Sequence, residues 1–251
     1  SVAIALVAAV TARPADAMMG LTMLPAMGAD PSSVAEDGTI VPFTPVSLPR
    51  GGVRVSAHTT AALADLFARH NYRLNGVKRA GTVPRLFVVI MPPDLKSMAR
   101  VRERKAMFIR ITLPLVLAVN ESIMRDRIRI EELRDRLVSG QPLSIEPERW
   151  LAGMFARYDV PKFDFAELLR RVDVVAPSLA IAQSAVESGW GTSRFARKGN
   201  ALFGQRIFKG TNGLIPLARN PGARHRVRAF SRLLDGVRAY AANLNSHPAY
   251  R

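Results

Sequence analysis

The chain has no cysteine, which excludes a disulfide framework, a thiol nucleophile and a thiolate metal site together. Histidine is scarce. His58, His70, His225 and His247 stand far apart in the sequence, so neither a metal site nor a cofactor is expected. An uninterrupted apolar run of about 18 residues is also missing, which argues against a polytopic membrane protein. The shortage that says most is that of acid: 20 Asp+Glu stand against 36 Lys+Arg, for a net charge of +16 over 251 residues. What remains is an apolar fraction of 48%, enough to build a core and too much for wholesale disorder. At roughly 150 residues per domain the length allows one or two domains. The charge points to a polyanionic partner: nucleic acid, an anionic membrane, or an acidic polymer such as cell wall.

Along the chain, residues 1–10 form an apolar stretch of signal-peptide length, followed by Ala15-Asp16-Ala17, a small-x-small cleavage pattern. Residues 1–17 are therefore expected to be an export signal that lacks its basic start. Residues 18–57, rich in Pro and Gly with little periodicity, read as an irregular linker. A helical N-terminal region is expected over 58–145, beginning with a helix near Thr59–His70. Leu86–Met91, bracketed by Pro84 and Pro92, reads as a buried strand or an extended tether. Helical spacing runs from Ser97 to Val138, with Pro114 predicted to kink or split it and Gly140 and Pro142 to end it. The alternating charges of 125–136 suggest a solvated face with i,i+4 pairs. Further helices are predicted near Glu146–Tyr158, with an apolar stripe of Trp150, Leu151, Met154, Phe155 and Tyr158, and over 163–172.

Residues Pro177–Glu187 read as a helix with Pro in its first turn and a packing face of Leu179, Ala182, Ala185 and Val186. Gly189 and Gly191 stop it just after Glu187. One carboxyl thus ends an apolar helix beside Trp190, and its burial would disfavour the charged form. A carboxyl kept protonated near neutral pH is what a glycosidase needs to protonate a leaving oxygen. Gln183 lies one turn earlier on the same face. The plainer reading of Glu187 is a residue that only caps or pairs at a helix end.

The run 176–196, containing Glu187-Ser188-Gly189-Trp190-Gly191-Thr192-Ser193, followed by Gly199-Asn200-Ala201-Leu202-Phe203-Gly204, closely resembles the glucosaminidase family of peptidoglycan hydrolases, glycoside hydrolase family 73. Within it the resemblance is closest to the Bax-like branch of Gram-negative bacteria. Asn243-Leu244-Asn245-Ser246-His247-Pro248-Ala249-Tyr250 is similar to the end of that branch. The resemblance implies a mainly α fold: a lysozyme-like helical domain with a small β-hairpin lobe, over 146–251 and truncated at its C-terminus, preceded by the helical N-terminal region. It implies an endo-β-N-acetylglucosaminidase that cleaves the β-1,4 bond between N-acetylglucosamine and N-acetylmuramic acid. Glu187 matches the family's general acid and Tyr250 its functionally important terminal tyrosine. Gln183, Trp190, Asn200, Phe203 and Arg206 are expected along the substrate cleft. The expected partner is the peptidoglycan glycan strand, with no nucleic acid, no membrane insertion after signal cleavage, and a location in the periplasm or cell envelope.

Between 205 and 230 short extended pieces alternate with turn signals, as a hairpin lobe would require. Ser231 reads as the N-cap of a last helix packed through Leu233 or Leu234, Val237, Ala241 and Leu244. From Ser188 to Leu234 the chain has ten basic residues and no Asp or Glu. A two-carboxylate glycosidase needs a second acid about 5–5.5 Å away for retention or about 6.5–9.5 Å for inversion. Asp235 and Asp173 are the nearest choices in sequence, and assistance by the substrate's own N-acetyl group is the alternative. A lytic transglycosylase on the same scaffold, or a non-catalytic wall-binding module, would also fit the sequence.

Overall fold

In the computed structural model, residues 51–208, 212–217 and 222–247 are described; the expected signal, most of the expected linker and Tyr250 lie outside them. The elements in order are β1 (Val53–Val55), α1 (Thr60–Arg69), α2 (Leu74–Ala80), β2 (Leu86–Val88), a 3-10 turn (Pro93–Ser97), α3 (Val101–Val138), α4 (Ile145–Arg157), α5 (Phe165–Arg171), α6 (Pro177–Ser188), α7 (Arg194–Gly199), β3 (Arg206–Ile207), β4 (Gly213–Leu214), β5 (Arg226–Arg228) and α8 (Leu233–Ser246). The protein is mainly helical, with the small β lobe that a lysozyme-like domain leads one to expect.

Two expectations for the N-terminal half change. Val53–Val55, placed in the linker by the sequence, is a strand that pairs in parallel with the buried β2. Of the two readings of the apolar run 86–91, the buried strand holds for Leu86–Val88, and just beyond it the carbonyl of Val89 accepts the backbone N–H of Leu233 on α8 at 2.8 Å. Nor does Pro114 split the long helix: α3 runs unbroken through it for 38 residues. Proline costs a helix interior about 3 kcal/mol. Ile111, Leu113, Leu115, Val116 and Val119 around it are all buried, each side chain favouring the folded state by about 1.5–3 kcal/mol. Burial therefore outweighs the break.

α3 is the central post and packs against β2, α4, α5, α6 and α8. By length and composition alone it could cross a bilayer, but 61% of its most apolar window is buried inside the protein, as in a core helix. Its charged half is more than a solvated face. Arg125 and Arg127 make the i,i+4 pairs with Glu121 and Glu131 that the sequence suggests. Arg127 also donates to the carbonyls of Leu169 and Val172 at the end of α5, and Arg129 reaches Glu146 on α4 at 2.9 Å. Asn120 fixes the approach to α6: its Nδ2 donates to Val175 O at 2.8 Å and its Oδ1 accepts Val175 N–H at 3.0 Å. One hydrophobic cluster runs from Val55 to Ala241 and joins the first strand to the last helix.

The β lobe is a three-stranded antiparallel sheet in the order β3-β5-β4. Its inner side rests on α7, where a Cβ on Gly199 would stand 3.0 Å from Leu214 Cδ1. Ser231 does not cap α8. Arg232 occupies the N-cap position, and the carbonyl of Ser231 accepts from Asn200 instead.

Candidate active site

Pro177 begins α6 at a position where its missing N–H costs nothing. The packing face differs from the sequence expectation. Ala180, Ser184, Ala185 and Ser188 are buried, whereas Leu179 and Val186 are exposed at 46% and 68% and Ala182 is also exposed. The true face is polar enough to need hydrogen bonds, which Ser184 and Ser188 make to carbonyls one turn back. Turned with Val186, Glu187 is exposed. The expectation of a buried carboxyl is thereby corrected: the acid of the motif faces outward at the end of its helix.

The helix ends in three successive left-handed residues, Gly189, Trp190 and Gly191, with φ of +57°, +58° and +76°. Trp190 N–H closes the turn on Ala185 O at 2.7 Å, and Ser188 Oγ accepts Gly191 N–H at 2.8 Å. A side chain at Gly191 is excluded, because a Cβ there would stand 2.9 Å from Phe108 and 3.0 Å from both Leu95 and Met91. The Trp190 ring packs edge-on against Phe108 at 5.8 Å, with Lys105 Nζ 4.7 Å from its centre. A non-glycine residue at positive φ is strained, and such strain collects at functional sites.

The second half of the motif forms the opposing turn. Asn200 is itself left-handed, and its side chain is fully engaged: Oδ1 accepts Met91 N–H at 3.1 Å, and Nδ2 donates to Phe230 O at 2.9 Å and Ser231 O at 3.3 Å. Phe203 is 2% exposed and stacks on Tyr240 with ring centres 3.8 Å apart. Both residues were expected to line the cleft, but both are turned into the packing and shape the site from behind. Gly204 follows at φ +61°, and a Cβ on it would lie 3.1 Å from Glu187 Oε2. A side chain there would crowd the carboxyl, and the positive φ itself favours glycine.

Of the other expected site residues, Gln183 is half-buried and accepts a hydrogen bond from the Tyr240 hydroxyl. Arg206 is exposed on β3. Asp235 is held by Arg232 in a two-point pair at 2.9 and 2.8 Å. Asp173 is exposed just before α6, with its carboxylate on the following N–H of Val174. Sequence reading missed Tyr240, although it falls on the same helical stripe as Val237 and Leu244, and the engagement of Asn200 with Met91, which left no local signal. Eight of the ten basic residues in the acid-free segment are described: Arg194, Arg197, Lys198, Arg206, Arg224, Arg226, Arg228 and Arg232. Arg194 and Arg197 bond to the carbonyls of Ile215 and Thr192. A carbonyl does not neutralise a guanidinium, so although Arg232 is balanced by Asp235, the acid-free segment beside Glu187 carries an excess of positive charge.

Residues 163–251 match the glucosaminidase family, described as mannosyl-glycoprotein endo-beta-N-acetylglucosaminidase. The chain is 36% identical over 166 residues to the protein Bax of Escherichia coli (strain K12), a match covering 63% of this chain and 57% of that relative. The chain thus spans a little over half the length of the relative it matches. No solved structure matches it. Residues 163–251, which hold Glu187, the turn against it and the β lobe, thus match a glucosaminidase-family domain, and the chain is similar to Bax over 63% of its length.

Proposed function

We propose that the protein is a peptidoglycan hydrolase, an endo-β-N-acetylglucosaminidase exported to the periplasm or cell envelope, with Glu187 as its general acid. The observation that carries this reading is the seat of Glu187: an exposed carboxyl at a strained helix end, lodged against Gly204, on the border of an acid-free basic lobe. A glycan strand laid over that border would exclude water from the carboxyl. Glu187 would then donate its proton to the glycosidic oxygen as the C1–O bond breaks, leaving positive charge on the N-acetylglucosamine ring. Water adds to C1 and returns a proton to the Glu187 carboxylate, so that the enzyme is regenerated. Arg206 and Arg224, both exposed, would hold the carboxylates of the stem peptides. Tyr250 is assigned a part near the reacting sugar on the resemblance of its motif alone.

One observation favours a second reading of the chemistry. The segment facing Glu187 supplies no acid, and Asp235 is bound to Arg232. An internal nucleophile from the substrate therefore replaces a second carboxylate more readily than Asp235 does. A lytic transglycosylase would share that economy.

Purified sacculi test both readings. Glu187→Gln, which keeps shape and removes the transferable proton, is expected to lower muropeptide release by at least about 100-fold. Undiminished release would remove Glu187 from the chemistry. Sacculus binding without turnover by the parent protein would mark a wall-binding module. Mass spectrometry separates the rest: reducing N-acetylglucosamine ends identify the hydrolase, and anhydro-muramic ends the transglycosylase.

A further inference from the structure

Around Glu187, two walls must hold their spacing: the last turn of α6, which carries the acid, and the 200–204 turn, which ends in Gly204. One buried side chain touches both. Tyr240, on α8 and 2% exposed, donates its hydroxyl proton to Gln183 Oε1 on α6, one helical turn before Glu187. Its ring lies flat on Phe203, 3.8 Å between centres and 7° from parallel, and Phe203 immediately precedes Gly204. A Cβ on Gly204 would stand only 3.1 Å from Glu187 Oε2, so a small drift of either wall changes the seat of the carboxyl.

We infer that Tyr240 is a positioning residue for the glycosidase reaction: through Gln183 and Phe203 it sets the distance between the acid-bearing helix and the turn on which the Glu187 carboxyl rests. The inference rests on the reading of Glu187 as the acid. Packing alone does not account for the arrangement. A phenylalanine would fill the same volume against Phe203, whereas the hydroxyl is spent on a half-buried glutamine that water could otherwise satisfy. What the hydroxyl adds is direction. Gln183 has several rotamers on an open helix face, and the hydrogen bond selects one beside the acid. Misplacement of a reacting group by about 1 Å costs on the order of 100-fold in rate, so even partial loosening is measurable.

The test is a cycle of Tyr240→Phe, Gln183→Leu and the double variant, with two readouts. On soluble glycan oligomers, Tyr240→Phe is expected to lower kcat about tenfold with KM within about twofold, because substrate contacts stay in place. In the Gln183→Leu background the same change is expected to have no further effect on kcat. The second readout needs no turnover. With carbon-13 glutamate labelling, the Glu187 carboxyl resonance, assigned by its loss in Glu187→Gln, is expected to move in Tyr240→Phe and in Gln183→Leu. An unmoved resonance overturns the inference. So does a loss of kcat that is equal in both backgrounds, or one that follows the fraction of unfolded protein. If Glu187→Gln keeps full activity while Tyr240→Phe still moves the resonance, the assignment of the acid fails and the positioning contact stands.

Discussion

Glu187 shows how little a residue's name says about its setting. The sequence marks it through the glycines and tryptophan that follow, yet whether a carboxyl at a helix end is buried depends on the rotation of that helix. At ~100° per residue, the face of Val186 and Glu187 lies about 180° round the helix from that of Ala185 and Ser188, so half a turn of rotation would exchange them. The seat at Gly204 is equally specific. Gly204→Ala would bring a Cβ to 3.1 Å from Glu187 Oε2 and hold a non-glycine residue at φ +61°. The left-handed conformation alone costs about 1–2 kcal/mol. A lowered thermal midpoint together with a disproportionate loss of muropeptide release is the expected outcome. Loss of stability with full activity would show that the carboxyl does not depend on this turn.

At the scale of elements, α6 is aimed by contacts outside it. Asn120 on α3 makes two buried hydrogen bonds to Val175, just before the helix begins. Asn120→Ala should cost about 2–3 kcal/mol in urea unfolding, because two bonds are lost and two buried backbone groups are left bare. A change within about 0.5 kcal/mol would mean that the surrounding packing fixes the approach by itself. α5 is tied in by charge. Arg171 donates to Tyr158 O and Asp159 O at 2.6 and 2.7 Å and pairs with Glu167, which Arg170 also binds. The hydrogen bonds from Arg170 and then Arg171 hold the Glu167 carboxyl down to about 2. An unfolded glutamate titrates near ~4.3, so this contribution is complete above that pH and is lost as pH falls towards about 2. Glu167→Gln should therefore be less stable than the parent at neutral pH, with the two denaturation midpoints converging at the acid end. A constant gap down to the lowest pH would show that charge is not the cause. These ties were partly legible. Alternating signs in 125–136 announced ion pairs within the helix, such as Arg127 with Glu131, but not the bonds of Arg127 to carbonyls at the end of α5 or the pair of Arg129 with Glu146 on α4. Sequence spacing reveals partners within a helix and not between helices.

For the whole molecule, the +16 charge is unevenly spread, since 188–234 carries ten basic residues and no acid. Screening acts over ~10 Å at 0.1 M salt, so wall binding through this lobe should weaken steeply as salt rises. Arg224→Glu should reduce sacculus binding at low salt, with the difference from the parent fading at high salt. Salt-independent binding would assign the attachment to other contacts. By itself the sequence determined the mainly helical class, the positions of α1, α4, α5, α6 and α8, the turn after Glu187, and the acid-free lobe. All of these rest on local periodicity, on glycine and proline, or on plain composition. Only the tertiary structure decided that 53–55 is a strand, that α3 passes through Pro114, that Glu187 faces outward, and that Asn200 and Phe203 turn inward. Each of those depends on groups far apart in the chain, such as Asn200 on Met91 or Phe203 on Tyr240. Their energies come from burial and bond partners that exist only once the chain has closed on itself.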